Sequence, residues 1–475
     1  MTTLRLLFKH EMIALDPNGF NSDSSSATVV LKMVCEGLTS FDAAGALAPG
    51  LALDWDASPD LTVFTFRLDP DAEFHSGRPC DAEAVKACFA RFMHPATNSL
   101  LAADYAGLEA IEVLERHRLR FTFARPMPAF LPNLAWRTHI VDDTQRQPVG
   151  TGPFRLASWR RGEGIVLERA AADRTAAPGN IATAEIRFAP NGAERLAIMA
   201  EGRADIAESL PGELAQRLSD PDQLVVRHAP ARHKTTLCFN TRHAPLDNAQ
   251  LREAIAHAID RERLAAAFGG DGSHVVDGLL GDPAYESGQA PTPYDPDRAR
   301  RLLAAAGHGG GLTLRAAATA VAPVPELAAA VAEDLAAIGI VLATTLYADP
   351  PWWPYVYLHG PWDIAFQASP ARPHPDTLFS RELRTGGPFN AGGYSNAALD
   401  ALIDEARHCL DPVRQRALYT EAERHVREAV PVLVLFSSAV TMGWRPAVSG
   451  FAPHPMGVVD ICRTRLEPAP KVHQP

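Results

Sequence analysis

The segment TTLCFNTRHAPLDNAQLREAIAHAID, residues 235–260, decides how this 475-residue chain is organised. Its first six residues have the composition of a β-strand, and residues 241–246 break that pattern. After the break, Leu251, Ala254 and Ile255 recur at helical spacing. A strand that crosses between two compact lobes has this pattern. An ordinary strand–turn–helix unit has the same pattern, so both interpretations remain open at this point.

Helices and strands alternate through the rest of the chain. Residues 62–68 and 119–123 have the composition and alternation of strands, whereas residues 327–338 carry an apolar stripe of helical period that ends at Gly339. Capping residues mark the predicted helix starts, and proline follows two of them. These starts are Asp81, Asn191, Asp295, Asn396 and Asp411. The alternation indicates an α/β fold.

The composition excludes several classes of protein. With 47% hydrophobic residues the chain is too apolar to be disordered, yet no run approaches the roughly 18 apolar residues of a membrane-spanning helix. The 45 basic and 56 acidic residues give a net charge of −11, which argues against a general nucleic-acid binder. Six scattered cysteines without a CxxC pair exclude zinc-ribbon and thioredoxin-type sites.

Catalytic signatures are missing from the sequence. It contains no G-x-S-x-G elbow, no H-E-x-x-H and no Walker A loop. The glycine-rich residues 269–272 follow a predicted helix, which indicates a helix end and not a dinucleotide loop. No two of the 17 histidines are four residues apart, so we expect no metal site made by the protein alone.

Arginine far outnumbers lysine, of which the chain has five, and two arginines have unusual neighbours. Arg137 lies in the apolar segment LAWRT, residues 134–138, and Arg384 lies in the glycine-rich segment RTGGPFN, residues 384–390. An arginine in apolar surroundings needs a partner, because an unpaired buried charge is costly. That partner is either an internal acid or a carboxylate of a ligand.

The aromatic residues are densest in one short stretch of the chain. These residues are Trp352, Trp353, Tyr355, Tyr357 and Trp362. They form either part of a packed core or an aromatic wall beside a ligand, and the sequence leaves both interpretations open.

Several segments of the chain carry motifs in a characteristic order. Residues 64–68 read FTFRL, residues 72–83 read AEFHSGRPCDAE, residues 148–154 read PVGTGPF and residues 237–241 read LCFNT. These segments resemble the signature stretches of bacterial substrate-binding proteins that serve ABC importers for peptides, nickel and metal chelates (solute-binding protein family 5). The resemblance runs from near residue 4 to about residue 455 in the order of the family.

The resemblance implies a bilobal α/β fold of the type II periplasmic binding proteins, with mixed sheets and a hinge between two lobes that close on a solute. The first lobe would comprise residues 1–240 and 441–475, with an inserted subdomain at about 40–160. The second lobe would comprise residues 241–440. Such proteins perform no chemistry.

The resemblance also implies a location and a set of partners. Members of the family are exported, and residues 1–19 show no basic n-region and apolar h-region, so we expect a periplasmic protein whose signal peptide has been removed. The expected partners are a small-molecule ligand and an ABC permease in the inner membrane. We expect a monomer that binds no nucleic acid.

The choice of solute depends on a few positions. Peptide-binding relatives carry an aspartate, in the segment matching residues 367–376, that holds the α-ammonium of the peptide. This chain has small residues and Arg372 at that point, which would repel an ammonium, and Asp376 is displaced from the role. The resemblance therefore weakens the peptide interpretation without removing it.

Nickel- and metallophore-binding relatives use an arginine in the segment matching residues 134–137 to hold ligand carboxylates, and Arg137 resembles that residue. The chelate-binding branch places another arginine and an asparagine in the loop matching residues 384–390. That loop has no histidine to bind a metal directly. We therefore expect a solute such as chelated nickel, with no cofactor held by the protein itself, and keep opines and short peptides as alternatives.

The ligand-binding residues expected from the resemblance share one pattern, with arginines from the two lobes converging on an anionic solute. They are Arg137, Arg384, Asn390, His374, Arg372, Trp136 and Phe20. Two other classes remain as alternatives: a secreted hydrolase on a similar scaffold, which would need a Ser or Cys beside a His, and a chaperone-like binder of extended polypeptide, which would need a wide hydrophobic cleft.

Overall fold

Strands and helices alternate along the chain in the computed structural model of the protein, which describes residues 2–12, 14–17, 25–145, 148–175, 177–211, 215, 223–270, 272–280, 290–348, 352–369, 372–454 and 459–467. The strands are β1 (Thr3–Phe8), β2 (Thr39–Phe41), β3 (Leu47–Pro49), β4 (Ala52–Ala57), β5 (Val63–Leu68), β6 (Leu108–Glu115), β7 (Arg118–Phe123), β8 (Phe154–Arg160), β9 (Gly164–Arg169), β10 (Thr183–Phe188), β11 (Ile206–Ala207), β12 (Val225–Phe239), β13 (Leu312–Thr319), β14 (Ile340–Tyr347), β15 (Ile364–Ser369), β16 (Val432–Trp444), β17 (Val448–Ser449) and β18 (Arg465–Leu466). The α-helices are α1 (Ser25–Val34), α2 (Ala82–Met93), α3 (Phe130–Arg137), α4 (Gly192–Ala200), α5 (Ala249–Ala258), α6 (Arg261–Phe268), α7 (Pro296–Ala305), α8 (Val324–Ala336), α9 (Pro375–Leu378), α10 (Ala397–Arg407) and α11 (Pro412–Ala429).

The predicted helix starts are confirmed by hydrogen bonds at the caps. The side chain of Asp81 accepts from the Ala84 N–H, and that of Asp295 accepts from the Arg298 N–H. Asn191, Asn396 and Asp411 cap their helices in the same way. Each cap satisfies a backbone donor that the first turn of a helix leaves without a partner.

The largest sheet is mixed and has ten strands in the order β14-β13-β15-β12-β16-β11-β1-β10-β9-β8. Strand β1 runs parallel to β10 and β11, and β13 runs parallel to β14 and β15, while the other neighbours are antiparallel. A second sheet of four antiparallel strands has the order β4-β5-β7-β6. Helices alternate with these strands, and the predicted α/β fold with mixed sheets is confirmed.

The 15-residue strand β12 passes from one hydrophobic core to another along its partner β16, from Val225 opposite Trp444 to Cys238 opposite Val432. At one end, Val226 packs in a cluster with residues of β1, α4 and β11. At the other end, Leu237 and Phe239 belong to a cluster with residues of α5, α6 and β13. The described geometry therefore favours the crossing strand over an ordinary strand–turn–helix unit.

Most buried apolar side chains fall into two large clusters. One draws on residues 4–206 and 442–461, and the other on residues 237–366 and 430–436. The lobe limits at residues 240 and 440, and the subdomain at about 40–160, stay a prediction. In the part of the chain that the structure describes, no helix has the length and apolar character needed to cross a membrane.

The aromatic stretch near residue 355 packs mainly into the core. The rings of Tyr357 and Trp362 stack at 6.0 Å, and the Trp362 indole N–H donates to the Val356 carbonyl at 2.9 Å. Trp352 is buried beside them, whereas Tyr355 is exposed to solvent. Of the two interpretations of this stretch, core packing is therefore the one that its buried rings support.

Helix α3 is held at its first residue by an aromatic cluster. The ring of Phe130 lies 4.8 Å from Phe64, 5.2 Å from Phe121 and 4.8 Å from Phe123, centroid to centroid. A helix of eight residues is too short to be stable by itself. Packing of Phe130 therefore fixes the helix, and with it the position of Arg137 at the other end.

We expect Phe130→Ala to lower the free energy of unfolding by about 3–5 kcal/mol, because it leaves a cavity among aromatic rings. Urea unfolding followed by tryptophan fluorescence measures the change. Phe130→Leu is the control and should cost clearly less, since it keeps most of the buried volume. Equal stability of the alanine variant and the wild type would contradict the role given to this cluster.

Candidate functional site

Arg137 ends helix α3 inside the protein. Its side chain is buried, with the residue only 6% exposed, and its guanidinium lies 5.7 Å from the centroid of the Trp136 ring. Burial lowers the pKa of Arg137 well below its ordinary value, and the charges of Arg372 and Arg381 lower it further, whereas Glu382 acts in the opposite direction. Arg137 therefore lies among charged groups that come from a distant part of the sequence.

The residues after strand β15 supply those charged groups. Arg372 pairs with Glu382 at 2.5 Å between Nη2 and Oε1, and both side chains are largely buried. Arg381 pairs with the buried carboxylate of Asp104, with Nε 3.3 Å from Oδ1, and its Nη2 donates to the Leu100 carbonyl at 2.9 Å. Arg381 is thus held by residues from the first part of the chain.

Residues 100–138 and 372–408 meet along a line of direct contacts that we call the seam. The Thr377 hydroxyl donates to the Asn133 side-chain oxygen at 2.8 Å. Arg407 Nη2 donates to the Ala103 carbonyl at 3.1 Å, and a nitrogen of the His408 ring lies 2.7 Å from the Pro126 carbonyl. These bonds join segments that belong to different predicted lobes, so this conformation is closed along the seam.

Charged side chains meet in the buried part of the seam. Arg137, Arg372, Arg381 and Arg407 contribute guanidinium groups there, and Asp104, Asp376 and Glu382 contribute carboxylates. Each of these acids has an arginine partner; for Asp376 this is Arg407, with Oδ2 3.7 Å from Nε. One of these pairs, Arg381–Asp104, joins the two sides of the seam.

The pKa values of two histidines are lowered by burial and by the positive charges of this region. Burial, followed by the charges of Lys32 and Arg137, lowers the pKa of His139 to about 3. Burial, followed by the charges of Arg372 and Lys234, lowers the pKa of His233 to about 4. Both imidazoles are therefore neutral at physiological pH, and the region around Arg137 and Arg372 disfavours further positive charge.

Several buried nitrogens at the seam lack a hydrogen-bond acceptor among the residues that the structure describes. They are Asn133 Nδ2, Trp136 Nε1, Arg372 Nε and Nη1, and Arg381 Nε and Nη1. All of these are N–H donors, although Arg381 Nε lies within ion-pair distance of Asp104. A buried donor without an acceptor costs about 1–3 kcal/mol, so this side of the protein is suited to a group rich in acceptor oxygens.

A small cavity of about 20 Å³ lies beside this region, with Ser369, Glu382 and Asn390 in its lining. That volume accommodates about one water molecule. This cavity is therefore too small for a solute of ordinary size.

The structure brings three of the sequence-predicted site residues together. Trp136 is buried at 5% exposure, and its ring is approached by Lys32 Nζ at 5.8 Å and by the Arg137 guanidinium at 5.7 Å. Arg372 acts on Arg137 from the other side of the seam. Trp136, Arg137 and Arg372 are thus neighbours at one place, and Phe20 lies outside the described residues.

Arg384 is engaged elsewhere. Its Nε and Nη2 donate to the two oxygens of Asp404 at 2.9 and 3.0 Å, and its side chain is 40% exposed. The bond to Asp404 raises the pKa of Arg384. The partner of this arginine is therefore an internal acid, one of the two kinds that the sequence allows, and we leave Arg384 out of the candidate site.

Asn390 and His374 serve local structure. The Asn390 amide donates to the Arg384 carbonyl at 3.0 Å and to the Tyr394 carbonyl at 2.7 Å, and its oxygen accepts from the Tyr394 N–H at 2.9 Å. His374 caps helix α9 by accepting from the Asp376 N–H at 3.2 Å, and its ring packs on Tyr419. The structure thus gives both side chains a role in shaping the loops around the site.

Sequence reasoning missed Asp104, Asn133, Arg381 and Lys32. Arg381 has the same signal as Arg137, since Phe379 and Leu383 flank it closely. Lys32 is one of only five lysines and lies in an apolar helix. Asp104 and Asn133 have no such signal, because their role follows from a contact with a distant segment.

The residues that the structure describes contain no group of three or more His, Cys, Asp or Glu side chains arranged to hold a metal ion. A metal held by a chelator would meet the protein through the oxygens of the chelator, and the donors at the seam suit such oxygens.

The family of the chain follows from its sequence. Residues 46–390, well over half of the chain, match the family model of the bacterial extracellular solute-binding proteins, family 5. The chain therefore belongs to this family. Proteins of this family bind solutes for ABC transporters, so the chain is a transport component and not an enzyme.

Curated relatives cover almost the whole chain. The glutathione-binding protein GsiB of Pectobacterium atrosepticum is 24% identical over 459 aligned positions, covering 92% of this chain and 89% of the relative. The di/tripeptide-binding protein 2 of Pseudomonas aeruginosa is 28% identical over 497 aligned positions, covering 90% of this chain and 89% of the relative.

Solved structures share the fold at low sequence identity. The periplasmic binding protein MoaA of A. tumefaciens R10, in complex with mannopinic acid, has a TM-score of 0.89 at 22% identity and covers 98% of this chain and all of its own. NikZ of Campylobacter jejuni, in complex with Ni(L-His), has a TM-score of 0.85 at 21% identity, covering 96% of this chain and 97% of its own. These likenesses confirm the bilobal type II fold.

We expect Asp104→Asn to favour opening of the seam, because it removes the negative charge that neutralises the buried Arg381 guanidinium. Breaking a buried pair in this way costs about 3–5 kcal/mol. Small-angle X-ray scattering should show a larger radius of gyration for the variant, with unchanged secondary structure by circular dichroism.

Asp54→Asn is the matched control, since the Asp54–Arg67 pair is exposed on both sides. It should leave scattering and thermal unfolding unchanged. Identical scattering of the Asp104 variant and the wild type would show that this ion pair does not hold the seam closed.

Proposed function

We propose that this protein captures a small solute carrying two or more carboxylates in the periplasm, acts as a monomer and delivers the solute to an ABC permease in the inner membrane. The observation that carries the proposal is the set of buried N–H donors at the seam, supplied by Trp136 and Arg372 together with Asn133 and Arg381. Arg137 adds its charge at the same place.

Carboxylate oxygens suit this region through their hydrogen bonding and through their charge. They accept hydrogen bonds from two guanidinium nitrogens at once, and their negative charge is attracted to the buried arginines. A charge-assisted hydrogen bond contributes about 1.5–3 kcal/mol. A solute with two carboxylates therefore gains affinity and is selected over neutral molecules of the same size.

Within this class we favour a metal, such as nickel, enclosed by a carboxylate chelator. The resemblance of Arg137 to the arginine of the nickel and metallophore branch supports this choice. The similar fold of NikZ, whose structure contains Ni(L-His), is compatible with it. An opine is the alternative with the same charge, as in the complex of MoaA with mannopinic acid.

A short acidic peptide is the second candidate. Two curated relatives are named as binders of glutathione and of di/tripeptides. Glu382 supports this candidate, because it is one of the residues that line the small cavity and a carboxylate can accept a peptide ammonium. Glutathione also has two carboxylates, so it fits the same donors.

We expect Arg137→Ala to weaken binding on the order of tenfold or more, since it removes charge-assisted bonds to a carboxylate. Isothermal titration calorimetry at pH 7 with Ni(II)–EDTA, mannopinic acid and glutathione measures the affinities. Arg384→Ala is the matched control and should change them by about twofold at most, because Arg384 bonds to Asp404. An unchanged affinity of Arg137→Ala would remove the basis of the proposal.

The same titrations decide between the candidate solutes. The dipeptide Met-Leu, which has a single carboxylate, serves as the comparison. Tighter binding of Met-Leu than of all three acidic probes would overturn the requirement for two carboxylates. Tightest binding of Ni(II)–EDTA, of mannopinic acid or of glutathione would assign the chelate, opine or peptide class.

A further inference from the structure

Lys32 lies in the last turn of helix α1, next to helix α3. Its ammonium donates to the Ala135 carbonyl at 2.8 Å and lies 5.8 Å from the centroid of the Trp136 ring. Arg137 approaches the same ring at 5.7 Å. Two cations from different helices therefore share one indole, whose N–H is itself without an acceptor among the described residues.

The ammonium of Lys32 has more N–H donors than hydrogen bonds to the described residues. A protonated lysine carries three N–H groups. In the part of the chain that the structure describes, its one hydrogen bond is to the Ala135 carbonyl. The acid whose charge acts on it is Asp460, from the C-terminal segment. Its other N–H groups can donate to a further acceptor, and the residue is only partly buried.

We propose that Lys32 is a specificity-determining residue that, together with the Trp136 N–H, receives a second acidic group of the solute. This inference rests on the proposed function, and it assigns the two ends of the solute. Arg137 and Arg372 would hold one carboxylate at the seam, and Lys32 would hold another on the side of helix α1. A solute with a single acidic group would leave Lys32 unused.

Unlike arginine, a lysine whose pKa is lowered by burial can release its proton near physiological pH. Burial lowers the pKa of Lys32 to about 8, and Asp460 opposes that change. The other titratable groups facing it are Arg137 and His139, whose own pKa values are lowered in the same environment. A carboxylate placed beside Lys32 stabilises its charged form, so binding should raise its pKa and take up protons.

The lowered pKa of Lys32 determines how both solute affinity and folding stability change with pH. In the free protein Lys32 loses its charge as the pH rises through about 8, so affinity for a second carboxylate should fall over that range. The lowered pKa also means that the charged lysine opposes folding most strongly below pH 8, and this cost disappears as the pH approaches the ordinary value of lysine. Removal of the charge should therefore stabilise the free protein and weaken binding.

The test compares the wild type with Lys32→Met and Lys32→Arg, using the tightest binder among Ni(II)–EDTA, mannopinic acid and glutathione. At pH 7 we expect Lys32→Met to bind roughly tenfold or more weakly, and Lys32→Arg to bind within about threefold of the wild type. The methionine variant should also have a higher melting temperature without solute. Lys86→Met, which removes an exposed lysine of helix α2, is the matched control and should change neither quantity.

Proton uptake provides a readout that packing alone would not give. Calorimetry at pH 8.5 in two buffers of different ionisation enthalpy counts the protons taken up when the probe binds. The wild type should take up more protons than Lys32→Arg, whose guanidinium is permanently charged. The difference between these two proteins cancels any ionisation of the probe.

The outcomes separate this inference from the proposed function. If none of the three probes binds the wild type, the proposed function and the inference both fail. If a probe binds and Arg137→Ala weakens it, while Lys32→Met leaves affinity unchanged, Lys32 has no role in recognition. Equal proton uptake by the wild type and Lys32→Arg overturns the inference as well, even where Lys32→Met does not fold.

Discussion

Burial of positive charge at the seam is the constraint on which the rest of the structure depends. A guanidinium removed from water is costly unless carboxylates and hydrogen-bond acceptors replace the water. The chain supplies Asp104, Asp376 and Glu382 to Arg381, Arg407 and Arg372 and yet keeps further buried N–H donors without acceptors among the described residues. An interior built only for stability would pair such groups or replace them with apolar side chains, and this is the reason why we propose a site that an acceptor-rich solute completes.

The fold determines how that site can respond to a solute. Strands β12 and β16 pass between two hydrophobic cores. Phe130 on one side of the seam shares a cluster with Trp444 at one end of β16, and Phe379 on the other side shares a cluster with Val434 near its other end. A solute shifts the balance between open and closed forms only by the difference in its affinity for them. Because the donors come from both sides of the seam, the carboxylate-rich solute that we propose would meet all of them only in the closed form. Under that proposal, charge recognition and closure are one physical event.

The sequence predicted those features of the structure that depend on neighbouring residues alone. Caps such as Asp81 and Asp295 lie at helix starts as expected, and the apolar neighbours of Arg137 correctly indicated a buried cation. Arg384 was harder to place, because the glycine-rich loop around it is equally suitable for a ligand and for an internal partner. That partner, Asp404, is on the following helix, and its distance from Arg384 depends on how loop and helix pack. Contacts such as Asp104 with Arg381 depend on the meeting of segments far apart in sequence, which no local pattern encodes.

The composition of the chain makes the single lysine beside Trp136 unusual. The chain has five lysines and about forty arginines, so arginine is its usual cationic side chain and occupies most positions where a positive charge alone is needed. An arginine at position 32 would remain charged at every physiological pH and would hold its counter-charge permanently. An ammonium in partly desolvated surroundings is instead charged or neutral according to what lies next to it, since its pKa is about 8. A titratable cation at one end of the site and permanent ones at the other would therefore couple capture of an acidic solute to the proton concentration outside the cytoplasm.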